Sequence, residues 1–138
     1  MNKAELENLA TIRIKEAEVL LNAGCYQGAY YLAGYALECT LKAIIAQQVK
    51  QFDFPDKQLA LDSYTHNLAK LIITAHLKQQ LIEQEKQNHT FKLNWAIANK
   101  WSEETRYDHA ISQQKAQEFF NAITHNEAGV LPWLKKYL

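Results

Sequence analysis

An excess of charge of either sign is missing: Lys plus Arg number 15, Asp plus Glu number 15, and the formal net charge is zero. A protein that tracks a long nucleic acid is usually basic, so the balance argues against DNA and broad phosphate contact. It leaves room for a local basic cleft and opposes self-association little. Cysteine is scarce as well. The 2 present, Cys25 and Cys39, would lie about 21 Å apart on one helix at 1.5 Å per residue. A disulfide needs Cα atoms within about 7 Å. No CxxC pair and no Cys/His cluster at zinc spacing occurs. The expectation is reduced thiols, no metal and a cytoplasmic address. With only 4 glycines there is no glycine-rich phosphate loop, and neither GxSxG nor HExxH appears, so no cofactor is implied. The opening "MNKAELENLATIRIKEAEVLL" is amphipathic and carries acids, unlike the basic start and continuous apolar stretch of a signal peptide. Strand alternation, internal repeats, low-complexity tracts and linkers are also lacking. A chain of 138 residues suits one domain, residues 1–138.

What is present is an apolar run, "GAYYLAGYALECTLKAIIA", from Gly28 to Ala46. A bilayer span needs about 20 apolar residues with few charges, and each charge at the bilayer centre costs roughly 2.5–3.5 kcal/mol. Glu38 and Lys42 fall mid-run, so no membrane contact is expected. A central helix of a bundle explains more. Ala29, Ala33, Gly34, Ala36 and Ala43 allow close approach, while Leu32, Leu37, Leu41, Ile44 and Ile45 fill space. Glu38 and Lys42 stand i,i+4 in the favourable order. With Tyr31 and Tyr35 they form a polar seam. Two readings stand open: a satisfied buried pair with tyrosines at the bundle edge, or a cleft wall facing a ligand or second subunit.

Apolar recurrence at Leu6, Ala10, Ile14, Ala17 and Leu21 predicts a helix over residues 3–22, stopped at Ala23-Gly24, where glycine suits the left-handed cap. A second helix runs over 26–49, and the very short turn makes the pair antiparallel. Asp53, Pro55 and Asp56 predict a loop through Tyr64. Ser63 or Thr65 can cap a third helix with Leu68, Leu71, Ile72 and Ala75 on its stripe. "HLKQQLIEQEKQNH" reads as an exposed helix end and a bend. The stripe resumes at Phe91, Trp95, Ala98 and Trp101. "SEETRYDHAI" reads as a loop. Ser112 caps a last helix that buries Ala116, Phe119, Phe120 and Ile123, interrupted by Gly129 and Pro132. The fold class is all-α: four main helices and a short extra one.

The stretch "RIKEAEVLLNAGCYQGAYYLAGYALECTLKAIIA" (residues 13–46) resembles the first helical hairpin of HEPN domains (higher eukaryote and prokaryote nucleotide-binding). "YTHNLAKL" (64–71) resembles the family's third-helix start, and "WSEETRYD" (101–108) its short tryptophan–Arg-Tyr-Asp segment. The hairpin is the specific part. The resemblance implies a four- to five-helix up-and-down antiparallel bundle, often homodimeric through its central helices. Many members are metal-independent endoribonucleases with an R-x(4–6)-H motif. Others are non-catalytic, several of them companions of small nucleotidyltransferases in toxin–antitoxin-type pairs. This chain departs from the motif. Of its 2 arginines, Arg13 is followed in that window by Glu18, Val19 and Leu20, and Arg106 by Ile111, Ser112 and Gln113.

The densest polar cluster is Arg106, Asp108 and His109. Arginine offers a planar fork for phosphate and histidine shuttles a proton near neutral pH. That is sufficient in kind for phosphodiester cleavage. The alternative is that Arg106 pairs with Asp108 or Glu104 and ties down a loop. His66 reads as a capping or packing group. His76, His89 and His125 read as solvated, and Trp95 and Trp101 as core or dimer contacts. The expectation is a non-catalytic binding module for a nucleotide or a nucleotidyltransferase-type partner. Tyr31, Tyr35, Glu38 and Lys42 would line the cleft, with Arg106 and Asp108 beside them. Two alternatives remain: a metal-independent ribonuclease acting on RNA through Arg106 and His109, and a purely structural dimer.

Overall fold

Two long helices organise the molecule. α1 (Lys3–Asn22) opens on a capping box: the Asn2 side chain accepts from the Glu5 amide at 2.8 Å, and the Glu5 carboxylate accepts from the Asn2 amide at 2.9 Å. Two otherwise orphaned amides are thereby satisfied. The helix ends in a Schellman turn, with Gly24 at φ +81, the Gly24 amide bonded to the Leu21 carbonyl and the Cys25 amide to Leu20. Glycine adopts this left-handed backbone without a Cβ clash. The chain reverses within three residues into α2 (Tyr26–Gln47), and the two helices pack as the expected hairpin.

The computed structural model describes residues 1–49, 54, 56–107 and 110–138. After α2 these contain α3 (Lys57–Ser63), α4 (Leu68–Thr74), α5 (Lys78–Gln87), α6 (His89–Ala98), a 3-10 turn (Glu103–Tyr107), α7 (Gln113–Thr124) and α8 (Val130–Lys135). The chain is all-helical among the described residues, with eight α-helices where five were expected. The extra elements arise where side chains cap the backbone inside stretches that read as loops or as single helices. Asp56 accepts from the Leu59 amide and starts α3 in the expected loop, yet α3 buries no residue and so shows no apolar period. Asn67 accepts from the Lys70 amide and caps α4. Thr65 serves that cap by accepting from the Asn67 amide, and Ser63 donates back to the Leu59 carbonyl, so neither caps the helix. Asn88 accepts from the Phe91 amide and divides α5 from α6. Ser112 caps α7 as expected. The final break lies at His125–Gly129. Pro132 sits in the first turn of α8, where no intrahelical N–H is needed.

α2 is buried almost all round, with Ala33, Ala36, Leu37, Leu41 and Ala43 fully enclosed. Helices α1, α4, α7 and α8 and the 3-10 turn all pack against it. Phe91, Trp95, Phe119 and Trp133 complete the core, so the tryptophans at 95 and 101 are core residues as expected. Phe120 is only half-buried, packed at the core's margin. Gln47 and Gln48 tie the end of α2 to the Tyr137 and Ala75 carbonyls at 2.8 and 2.7 Å. Among the described residues no helix is long and apolar enough to cross a membrane.

Candidate functional site

The polar seam of α2 exists, but its members do different things. Glu38 is 2% exposed and both of its oxygens are engaged. One lies 3.2 Å from the Lys42 ammonium, and the other 2.8 Å from His66 Nδ1. A buried carboxylate needs such partners. This is the satisfied-pair reading, extended by His66, which in the sequence reads as a cap or packing group. The far nitrogen of His66, Nε2, lies 3.1 Å from the Glu103 carboxylate in the 3-10 turn. The chain Lys42–Glu38–His66–Glu103 therefore links α2, the segment before α4 and the 3-10 turn.

Tyr31 and Tyr35 are half-buried, stacked on each other at 6.2 Å between ring centroids, and Tyr31 also stacks on Trp101 at 6.1 Å. Burial pushes the Tyr35 phenol above its ordinary value, helped by Cys39, Glu38 and Tyr31 and opposed by Arg13. Burial likewise raises the Cys39 thiol to about 11, with the Glu38 carboxylate adding to it and Lys42 opposing. Arg13 pairs with Glu16 on α1, and its charge reaches this face.

The 3-10 turn is not a free loop. Trp101 plugs into the core over Gly34, where a Cβ would come within 2.2 Å of the indole. The expected close approach at Gly34 is thus made by this tryptophan. Gln27 donates to the Arg106 carbonyl at 2.8 Å and to Thr105 at 3.4 Å. The Arg106 side chain is exposed, its guanidinium 4.7 Å from the centre of the Tyr107 ring. Arg106 is held above its ordinary value chiefly by Tyr107; desolvation opposes this, and Tyr31 adds to the rise. Among the described residues no carboxylate pairs with Arg106, and Glu104 does not hold it. Asp108 and His109, the other expected members of this cluster, lie outside the described residues.

The structure thus brings Tyr31, Tyr35 and Arg106 together on one surface, with Lys42 and Glu38 further along α2. His66 is the member that sequence reasoning missed. Its signal was faint: a histidine beside a capping asparagine, aligned with a buried glutamate only once α4 is docked. His125 is exposed, as expected, and also has a local structural role. Its Nδ1 accepts from the Glu127 and Ala128 amides, so it organises the turn before α8. Among the described residues no group of His, Cys, Asp or Glu is arranged to hold a metal ion. No protein-family model, curated protein or solved structure matches the chain.

Proposed function

We propose that this chain is a HEPN-like, non-catalytic nucleotide-binding module: an up-and-down helical bundle working in the cytoplasm as a homodimer, alongside a small nucleotidyltransferase-type protein. One observation carries the nucleotide-binding part. Arg106 presents an exposed guanidinium against the Tyr107 ring, with no carboxylate partner among the described residues, and Tyr31 of the half-exposed Tyr31–Tyr35 pair contributes to its electrostatics. A guanidinium matches phosphate with its planar fork, and aromatic faces stack bases of any sequence. Together they suit a phosphate and a base of one small ligand. The chain's neutrality and its missing R-x(4–6)-H spacing weigh against an RNA-cleaving enzyme.

The test is titration of adenosine monophosphate into the folded protein, followed by calorimetry. Binding should weaken roughly ten- to a hundredfold in Arg106→Ala, the loss of a charge-assisted hydrogen bond of about 1.5–3 kcal/mol. Metal-free cleavage of a labelled structured RNA by the wild type, lost in Arg106→Ala and in His109→Ala, would replace this reading with a ribonuclease.

A further inference from the structure

Glu103 occupies a position that an anionic ligand would fit. His66 is held from one side by the buried Glu38 carboxylate and meets Glu103 with its outer nitrogen. Nδ1 is at hydrogen-bond distance from Glu38, and Nε2 faces the Glu103 carboxylate at 3.1 Å, so the outer edge of the ring already meets an anion. The inner partner is fixed, because Glu38 is buried and anchored again by Lys42. The outer partner is not: the Glu103 side chain is 40% exposed, and exposed ion pairs are weak.

Two placements connect this contact to the proposed site. In a 3-10 helix the side chains at i and i+3 eclipse, so Glu103 and Arg106 project from the same side of their turn. Along α2, Tyr31 and the Glu38 that holds His66 are seven residues apart, about 10 Å at 1.5 Å per residue. That is the scale of one nucleotide, with Tyr35 in between.

Resting on the proposed nucleotide-binding reading, we infer that His66 is a second anion-binding group of the site and that Glu103 is its built-in competitor. The phosphate of a bound nucleotide takes the place of the Glu103 carboxylate at His66 Nε2. Glu38 acts as a positioning residue, keeping the ring turned outward. Glu103 lowers affinity while no ligand is bound and ties the turn carrying Arg106 to the bundle.

Adenosine monophosphate is the probe, titrated into wild type, Glu103→Gln, His66→Gln and the double variant, with the His66 ring followed by NMR. Glutamine at 66 still donates to Glu38, and position 103 lies on the surface, so both variants keep the fold. The expected result is three- to tenfold tighter binding in Glu103→Gln and about tenfold weaker binding in His66→Gln. The gain should vanish in the double variant, and the wild-type His66 resonances should move on binding. Binding that depends on Arg106 but ignores both substitutions and leaves the His66 resonances in place overturns this inference alone. No binding to any variant overturns it together with the proposed function.

Discussion

At the scale of single residues, Cys39 shows how position outweighs identity. Both thiols are free, Cys25 exposed and Cys39 buried. A thiol reagent should therefore modify Cys25 in the native protein and reach Cys39 only on unfolding. The raised Cys39 value also sets a direction for stability. The folded state keeps this proton more tightly than the unfolded chain, so the stabilisation is complete below the ordinary value of 9.0 and is lost as pH rises through about 11. One group contributes a limiting slope of about 1.4 kcal/mol per pH unit. Tyr35, raised as well, acts in the same direction. Urea unfolding between pH 8 and 11 should show this decline, and Cys39→Ala should flatten it.

His76 is the other telling residue. It stands at φ +58 in the left-handed position after α4. Its amide bonds the Ile73 carbonyl, and the Leu77 amide bonds Ile72. These are the bonds of the Schellman turn that Gly24 makes after α1, formed by a residue that pays for its Cβ there. His76→Gly should relieve the strain but loosen the unfolded chain, a net gain on the order of 0.5 kcal/mol. A higher urea midpoint at unchanged m-value would show it; a lower midpoint would contradict it.

At the scale of elements, the contact between α2 and the segment before the 3-10 turn matters most. Gly34→Ala would drive a methyl into the Trp101 indole. Overpacking of this kind costs about 1–3 kcal/mol. Because Trp101 anchors the turn that carries Glu103 and Arg106, the substitution should red-shift tryptophan emission and weaken the proposed nucleotide binding together. An unchanged melting temperature and spectrum would mean the turn is anchored elsewhere. Element boundaries also show what the sequence disclosed. α1 is legible from Leu6, Ala10, Ala17 and Leu21, because a long helix buries one stripe and repeats it. α3 was not legible: it buries nothing, and one capping aspartate decides it. α4 was legible as a helix but not in its start, since Ser63, Thr65 and Asn67 all resemble caps and only the fold of residues 64–67 selects Asn67.

For the whole molecule, Glu38 is the buried carboxylate that holds His66, and through His66 it links α2 to the segment before α4 and to the 3-10 turn. Its removal leaves Lys42 and His66 without their shared acceptor. Both are partly solvated, which limits the penalty, so Glu38→Ala should cost about 2–3 kcal/mol. Chemical denaturation would measure it, and a cost below 0.5 kcal/mol would mean that the relay ties nothing together. The candidate site was half legible at this scale. Tyr31, Tyr35, Glu38 and Lys42 were visible because helical spacing alone puts them on one seam. Their division into a buried anchor and an open aromatic surface was not, since burial depends on what packs above α2.

By itself the sequence determined the helical class, the α1–α2 hairpin and the core face of the central helix, because periodicity, a glycine stop and small residues act locally along the chain. Only the tertiary structure decided that Trp101 seats on Gly34, that His66 bridges Glu38 and Glu103, and that Arg106 comes near Tyr31. Those partners lie 28 to 75 residues apart in the chain, and no local pattern encodes which of several polar side chains will meet once the helices dock.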